Sequence, residues 1–177
     1  KRLTILSSEK RWQDDRKVQS GFIMGVFEAM NAFGREGRFA ELESWGTLLL
    51  PLVENEHLHS DTEIMSTVVQ CAGNTTHFYR EEGLLSEMEV WGERQFVWGN
   101  QVVALLESDP SEAAFHMAQQ VTKVFCETAY LAVIAYRRSD KDRKSERWCE
   151  RLLSVLEVPR WNVVPEVVHA YRGDADC

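Results

Sequence analysis

The sequence predicts an all-α protein, and three observations carry that prediction. Apolar residues recur at intervals of three and four through most of the 177 positions. Alternating apolar–polar patterns are nearly absent, and Val163–Val164 is too short to support a sheet. One arrangement also returns three times: an aromatic residue, then a turn, then a helix carrying a Trp.

The elements follow in order. Val18, Phe22, Val26, Ala29 and Phe33 form a first stripe. Phe39, Leu42, Trp45 and Leu49 form a second, which is expected to end at Pro51 because proline removes a backbone donor. Ser60 or Asp61 can cap a third helix with the stripe Ile64, Val68, Ala72, Thr75 and Tyr79. Leu84, Met88, Trp91, Gln95, Trp98, Val102 and Leu105 make a fourth, with Gly99–Asn100 as a place to bend. In "SDPSEAAF", Asp109 is the expected cap and Pro110 the first helical residue. Met117, Val121, Val124, Thr128, Leu131 and Ala135 follow, with Phe115, Phe125, Tyr130 and Val133 on other faces. That distribution predicts a helix buried on more than one side. Trp148, Leu152 and Leu156 mark a sixth helix, and Pro165 opens a short last one over 165–172. The chain therefore reads as one helical domain over 1–177, with hairpins over 14–53, 61–108 and 110–157.

Composition narrows the class. Apolar content of 44% suits a globular chain. Lys1 in place of Met points to a segment of a larger protein. No apolar run reaches bilayer length, so no membrane association is expected. Cys71, Cys126, Cys149 and Cys177 form no CxxC pair; Cys71 and Cys126 sit in apolar helical patterns, and buried free thiols there suit a reducing cytoplasm. Net charge is −8, and residues 36–112 hold fifteen acids against three bases, a net of −12. An acidic middle argues against general binding to a phosphate backbone, so a nucleic-acid partner is not expected.

The repeated stretches are "NAFGREGRFAELESWG", "THFYREEGLLSEMEVWG" and "AYRRSDKDRKSERWCER". Aligned on Trp45, Trp91 and Trp148, they bring Gly37 and Gly83 onto Asp140 at the turn. Tyr79-Arg80 then falls on Tyr136-Arg137, and Glu93-Arg94 on Glu150-Arg151. Each copy is an α-hairpin that cannot bury both its faces alone, so neighbours must stack. The large Trp of each second helix is expected to fill the space between hairpins. This pattern resembles the tetratricopeptide repeat in a divergent form, with turn spacings of 46 and 57 where the family has 34. The resemblance implies antiparallel hairpins stacked as a short right-handed superhelix, with a closed helical bundle as the alternative. It also implies a scaffold or sensor module that presents a concave surface to a peptide or protein partner.

The expected partner surface comprises Glu41, Glu87, Glu89 and Arg94, with Tyr79 and Trp98 as aromatic anchors. An alternative is that the same surface docks on another domain of the parent chain, or on a second copy. A further alternative is a metal-dependent helical enzyme at "ENEHLHSDTE", around His57, His59 and Asp61. The histidines there stand at i, i+2, not the i, i+4 of a helical ligand pair, and no metal or cofactor is assigned. Cys71 or Cys126 with His77 or His116 would be the only nucleophile–base pairing, and burial of the thiols is the better reading. No catalytic residue is assigned. The basic run Arg137 to Arg151 is expected to pair with acids on its own helix.

Overall fold

A computed structural model describes residues 15–53, 61–109 and 111–156. Six helices and no strand occur among them. They are α1 (Arg16–Arg35), α2 (Phe39–Val53), α3 (Thr62–Glu81), α4 (Leu85–Glu107), α5 (Glu112–Arg137) and α6 (Asp142–Leu156). The expected short helix over 165–172, and His57 and His59, lie outside the described residues.

The helices pair as α1/α2, α3/α4 and α5/α6. Each pair is closed by the same turn. In the first, Gly37 N–H donates to Gly34 O at 3.1 Å and Arg38 N–H to Phe33 O at 2.9 Å. In the second, Gly83 and Leu84 donate to Arg80 and Tyr79; in the third, Asp140 and Lys141 donate to Arg137 and Tyr136. This double hydrogen bond satisfies carbonyls that a helix end would otherwise leave unpaired, and it needs a residue of positive φ. Gly37 (68°), Gly83 (72°) and Asp140 (53°) supply it. Asp140 is therefore the conformational equivalent of the two glycines, as the alignment on Trp predicts.

The substantial helix–helix contacts join each hairpin to the next in the chain, and none joins the first hairpin to the third. First helices pack side by side, α1 on α3 and α3 on α5, while α5 also packs along α4. α5 is thus enclosed on three sides, which explains its apolar residues on several faces.

Two buried tryptophans fill the joints. Trp91 of α4 lies over Gly46 of α2, and Trp148 of α6 over Gly92 of α4; both rings are 1% exposed. A Cβ on Gly46 would stand 2.5 Å from Trp91 Cζ2, and one on Gly92 would stand 2.7 Å from Trp148 Cη2. The ring fits because the facing helix has no side chain there. Each Trp hides on the order of 200 Å² of surface, about 5 kcal/mol of gross transfer free energy.

Several local expectations need correction. The buried face of α1 is Gln19, Ile23, Val26, Met30, Asn31 and Gly34, while Val18 is 43% exposed. The true stripe includes Asn31, whose Oδ1 accepts from Asn74 Nδ2 at 2.9 Å, and a glycine covered by Phe78. Apolar counting passes over both. α2 continues through Pro51 to Val53. α4 runs without interruption past Gly99–Asn100, and Leu106 is its buried residue where Leu105 was expected. Ser111, not Asp109, caps α5 by accepting from Ala114 N–H; Asp109 accepts from Ser111 N–H. Asp61 does cap α3, through Ile64 N–H.

Trp45 is half-buried and is not the residue that joins the first two hairpins. The joining Trp always reaches backwards, from the later hairpin to the earlier one. Urea unfolding should therefore separate two kinds of glycine. Gly83→Ala, with open space around its Cβ, should cost about 1 kcal/mol from positive φ alone. Gly46→Ala, which must displace Trp91, should cost about 2–3 kcal/mol. Equal costs would contradict the seat described for Trp91.

Candidate functional site

Between the first two hairpins lies a groove of about 480 Å³. Phe39, Ala40 and Glu43 of α2 form one wall; Tyr79, Leu84, Ser86, Glu87, Val90 and Trp91 of the second hairpin form the other. Glu43 organises it. Its Oε2 accepts from Tyr79 Oη–H and from Trp91 Nε1–H, each at 2.9 Å. Its Oε1 lies 3.9 Å from Arg94 and keeps acceptor capacity facing the groove; the side chain is 47% exposed. The Arg94 guanidinium stacks on Trp91, 4.5 Å from the ring centroid. Phe39 and Tyr79 stack at 5.1 Å.

The elements fix these positions for local reasons. Phe39 begins α2 directly after the Gly37 turn, so its ring stands beside the last turn of the neighbouring first helix, where Tyr79 sits. Glu43 is one turn further along the same face, opposite both Tyr79 and Trp91. Burial and the neighbouring Glu43 carboxylate push the Tyr79 phenol above its ordinary range, which keeps it a hydrogen-bond donor at all ordinary pH.

The second joint is built from the equivalent residues with different partners. Glu89 takes the place of Glu43, Tyr136 of Tyr79, Trp148 of Trp91 and Arg151 of Arg94. Here Lys144 Nζ forms an ion pair with Glu89, and Arg147 lies 3.7 Å from it. Glu93, which replaces Thr47, binds Arg147 at 2.6 Å and Arg151 at 2.5 Å. Tyr136 Oη–H donates to Leu85 O at 3.3 Å, and Trp148 Nε1 has no hydrogen-bond partner among the described residues. Basic residues of α6 thus fill the space that stays open beside Glu43.

The expected partner surface is therefore divided. Tyr79 and Trp91 meet in the groove with Glu87, which forms no ion pair among the described residues. Tyr79 is 2% exposed, so only its ring edge contributes to the groove wall. Trp98 is 9% exposed and belongs to the core, not to a surface. Glu41 is paired with Arg38 at 2.6 Å. Glu89 is consumed by Lys144, and Arg94 by its stack on Trp91. The basic run pairs with α4 across the second joint; pairing within α6 was the expectation, and α6 presents Arg147 and Arg151 to Glu93 instead.

Glu43 was not among the expected site residues, although a signal for it exists. Glu43-Ser-Trp45, Glu89-Val-Trp91 and Glu146-Arg-Trp148 repeat Glu-x-Trp at the same register.

Asp61 and Glu63, the described acids of the His57/His59 stretch, both pair with Arg16, and Asp61 also caps α3. No group of three metal-ligating residues occurs among the described residues. His77 and His116 pair with Glu81 and Glu112 on their own helices. Cys71 and Cys126 are buried, and Cys71 Sγ lies 3.3 Å from Met30 Sδ. Burial pushes both thiols up to about 12. No described helix is long and apolar enough to cross a membrane. No family model, curated protein or solved structure matches the chain.

Two outcomes check this geometry. Tyr79→Phe should lower stability by about 1.5 kcal/mol or more in chemical unfolding, the net worth of one hydrogen bond to a charged group. At pH 8 a thiol of pKa about 12 is roughly one ten-thousandth thiolate. Site-resolved alkylation of the native protein should leave Cys71 and Cys126 unmodified, and both should react once it is unfolded in urea.

Proposed function

We propose that this chain is a tetratricopeptide-like interaction module of a larger regulatory or scaffold protein. Its ligand is a basic, partly apolar peptide segment of a protein partner, held in the groove beside Glu43. The observation that supports this most is the composition of that groove: stacked aromatic walls with an outward carboxylate oxygen at their centre.

Phe39, Leu84 and Val90 offer apolar contact, and Val90 is 47% exposed. Glu43 Oε1 and Glu87 offer acceptors for a Lys or Arg side chain. A cation is favoured over an anion because the local charge is acidic and the nearest guanidinium is already stacked on Trp91. The carboxylate is held in place by Tyr79 and Trp91, so a ligand does not have to order it. The turn geometry shared by the three hairpins, with their neighbour-to-neighbour packing, supports the repeat reading. The partner's anchor would be short, because the second joint is filled by α6 and the groove does not continue past it.

Fluorescence anisotropy with short peptides tests the reading. Peptides that place Lys or Arg beside Leu should bind, and the same peptides with Glu in the basic positions should not. Glu87→Lys and Val90→Asp, both at exposed positions, should each weaken binding by roughly tenfold, equivalent to about 1.4 kcal/mol. Added salt should weaken it further. Equal binding of acidic and basic peptides, or full affinity in both variants, would overturn the assignment.

A further inference from the structure

Each joint between hairpins has two places for a cation, and the first joint fills one of them. One place is the face of the indole. Arg94 lies there on Trp91, 4.5 Å from the ring centroid, and Arg151 lies on Trp148 at 4.7 Å. The other place is beside the joint carboxylate, against the tyrosine ring. At the second joint Lys144 takes it: Nζ pairs with Glu89 and stands 5.4 Å from the centroid of Tyr136. Tyr136 is no less buried than Tyr79 and still receives the ammonium.

The register that places Tyr136 on Tyr79 and Trp148 on Trp91 also places Lys144 on Glu87 and Arg147 on Val90. The first joint therefore brings no ammonium of its own to Glu43. An acid stands in the position of the lysine, and an apolar residue in that of Arg147. Both are exposed on the groove wall. Burial, then Glu43, and then Glu87 raise the Tyr79 phenol, so both carboxylates act at this ring. Arg94, 3.9 Å from Glu43 Oε1, is beyond hydrogen-bond reach of that oxygen.

We infer that the groove selects lysine over arginine, the ligand's ammonium sitting between Glu43 and Glu87 against the Tyr79 ring, where Lys144 sits at the second joint. The inference rests on the basic-peptide reading of this groove and narrows it. An ammonium is a compact charge whose three donors can be divided between two carboxylates on different helices. A guanidinium gains most from a planar partner or an aromatic face, and the indole face here is already covered by Arg94. The aliphatic stem of the lysine runs along Leu84 and Val90, which leaves its charged head at the acids.

Anisotropy with three end-blocked peptides tests this. One Leu-containing sequence carries Lys, Arg or Nε-acetyl-lysine at a single position. The Lys peptide should bind roughly tenfold tighter than the Arg peptide, and acetylation should cost at least as much. Equal affinity for Lys and Arg, or a preference for Arg, would overturn the inference and leave the basic-peptide reading standing. Binding by neither would overturn that reading and the inference with it. Tight binding of an unblocked peptide without Lys would assign the ammonium to a chain terminus and also overturn it. A second readout needs no ligand. Glu87→Lys puts an ammonium where Lys144 has one, so its loss of peptide binding should come with a urea midpoint roughly 0.2 M above that of Glu87→Gln. The difference should vanish when Glu43→Ala is added to both. A difference that persists there, or none to begin with, contradicts the assignment.

Discussion

The arrangement depends on one constraint: a tryptophan must lie flat against the backbone of the preceding hairpin. Trp91 does so at Gly46 and Trp148 at Gly92. A hairpin buries its inner stripe by itself, but its outer faces need a neighbour, and an indole is large enough to supply one in a single residue. The absence of a side chain at the seat sets how closely the second helices approach. That approach in turn brings Glu43 within hydrogen-bond distance of both Tyr79 and Trp91. The groove follows from the seat, because its floor is the edge of the same indole.

The two joints show how one framework yields different surfaces. At the first, the Glu43 carboxylate holds a Tyr and a Trp through one oxygen, and its other oxygen lies 3.9 Å from Arg94 on a side chain 47% exposed. At the second, Lys144, Arg147 and Arg151 close over Glu89 and Glu93, with Arg147 52% and Lys144 44% exposed. Exposed ion pairs contribute little each, about 0–1 kcal/mol, so the second joint gains from the network and from Arg151 stacked between Trp148 and Phe96. The uneven charge of the sequence, acidic in the middle and basic near residues 137–151, is thus largely an internal complementarity. It serves assembly of the hairpins first and recognition of a partner only where Glu43 and Glu87 remain open.

Much of the fold was legible because the helices are long and their stripes mostly apolar. The stripe of α3 from Ile64 to Tyr79 is buried throughout, and Asp140 was identified as a turn residue from its register with Gly37 and Gly83. Misreadings have specific causes. α1 is apolar on two adjacent faces, and its buried one includes Gln19, Asn31 and Gly34, so periodicity favoured the exposed alternative. Trp98 reads like a surface aromatic from its spacing to Trp91, yet α5 covers that face of α4. The groove was half legible. Tyr79 and Glu87 follow from aromatic and acidic content, but Glu43 becomes visible only when the carboxylate two residues before each Trp is aligned across all three copies.

The central claim is that the carboxylate of Glu43 and the indole of Trp91 act as one unit in joining the hairpins. A double-mutant cycle with Glu43→Ala and Trp91→Phe, followed by urea unfolding, measures that directly. The account predicts a coupling free energy of about 1.5 kcal/mol or more, in the range of hydrogen bonds to charged groups. Additive effects, with coupling indistinguishable from zero, would contradict it.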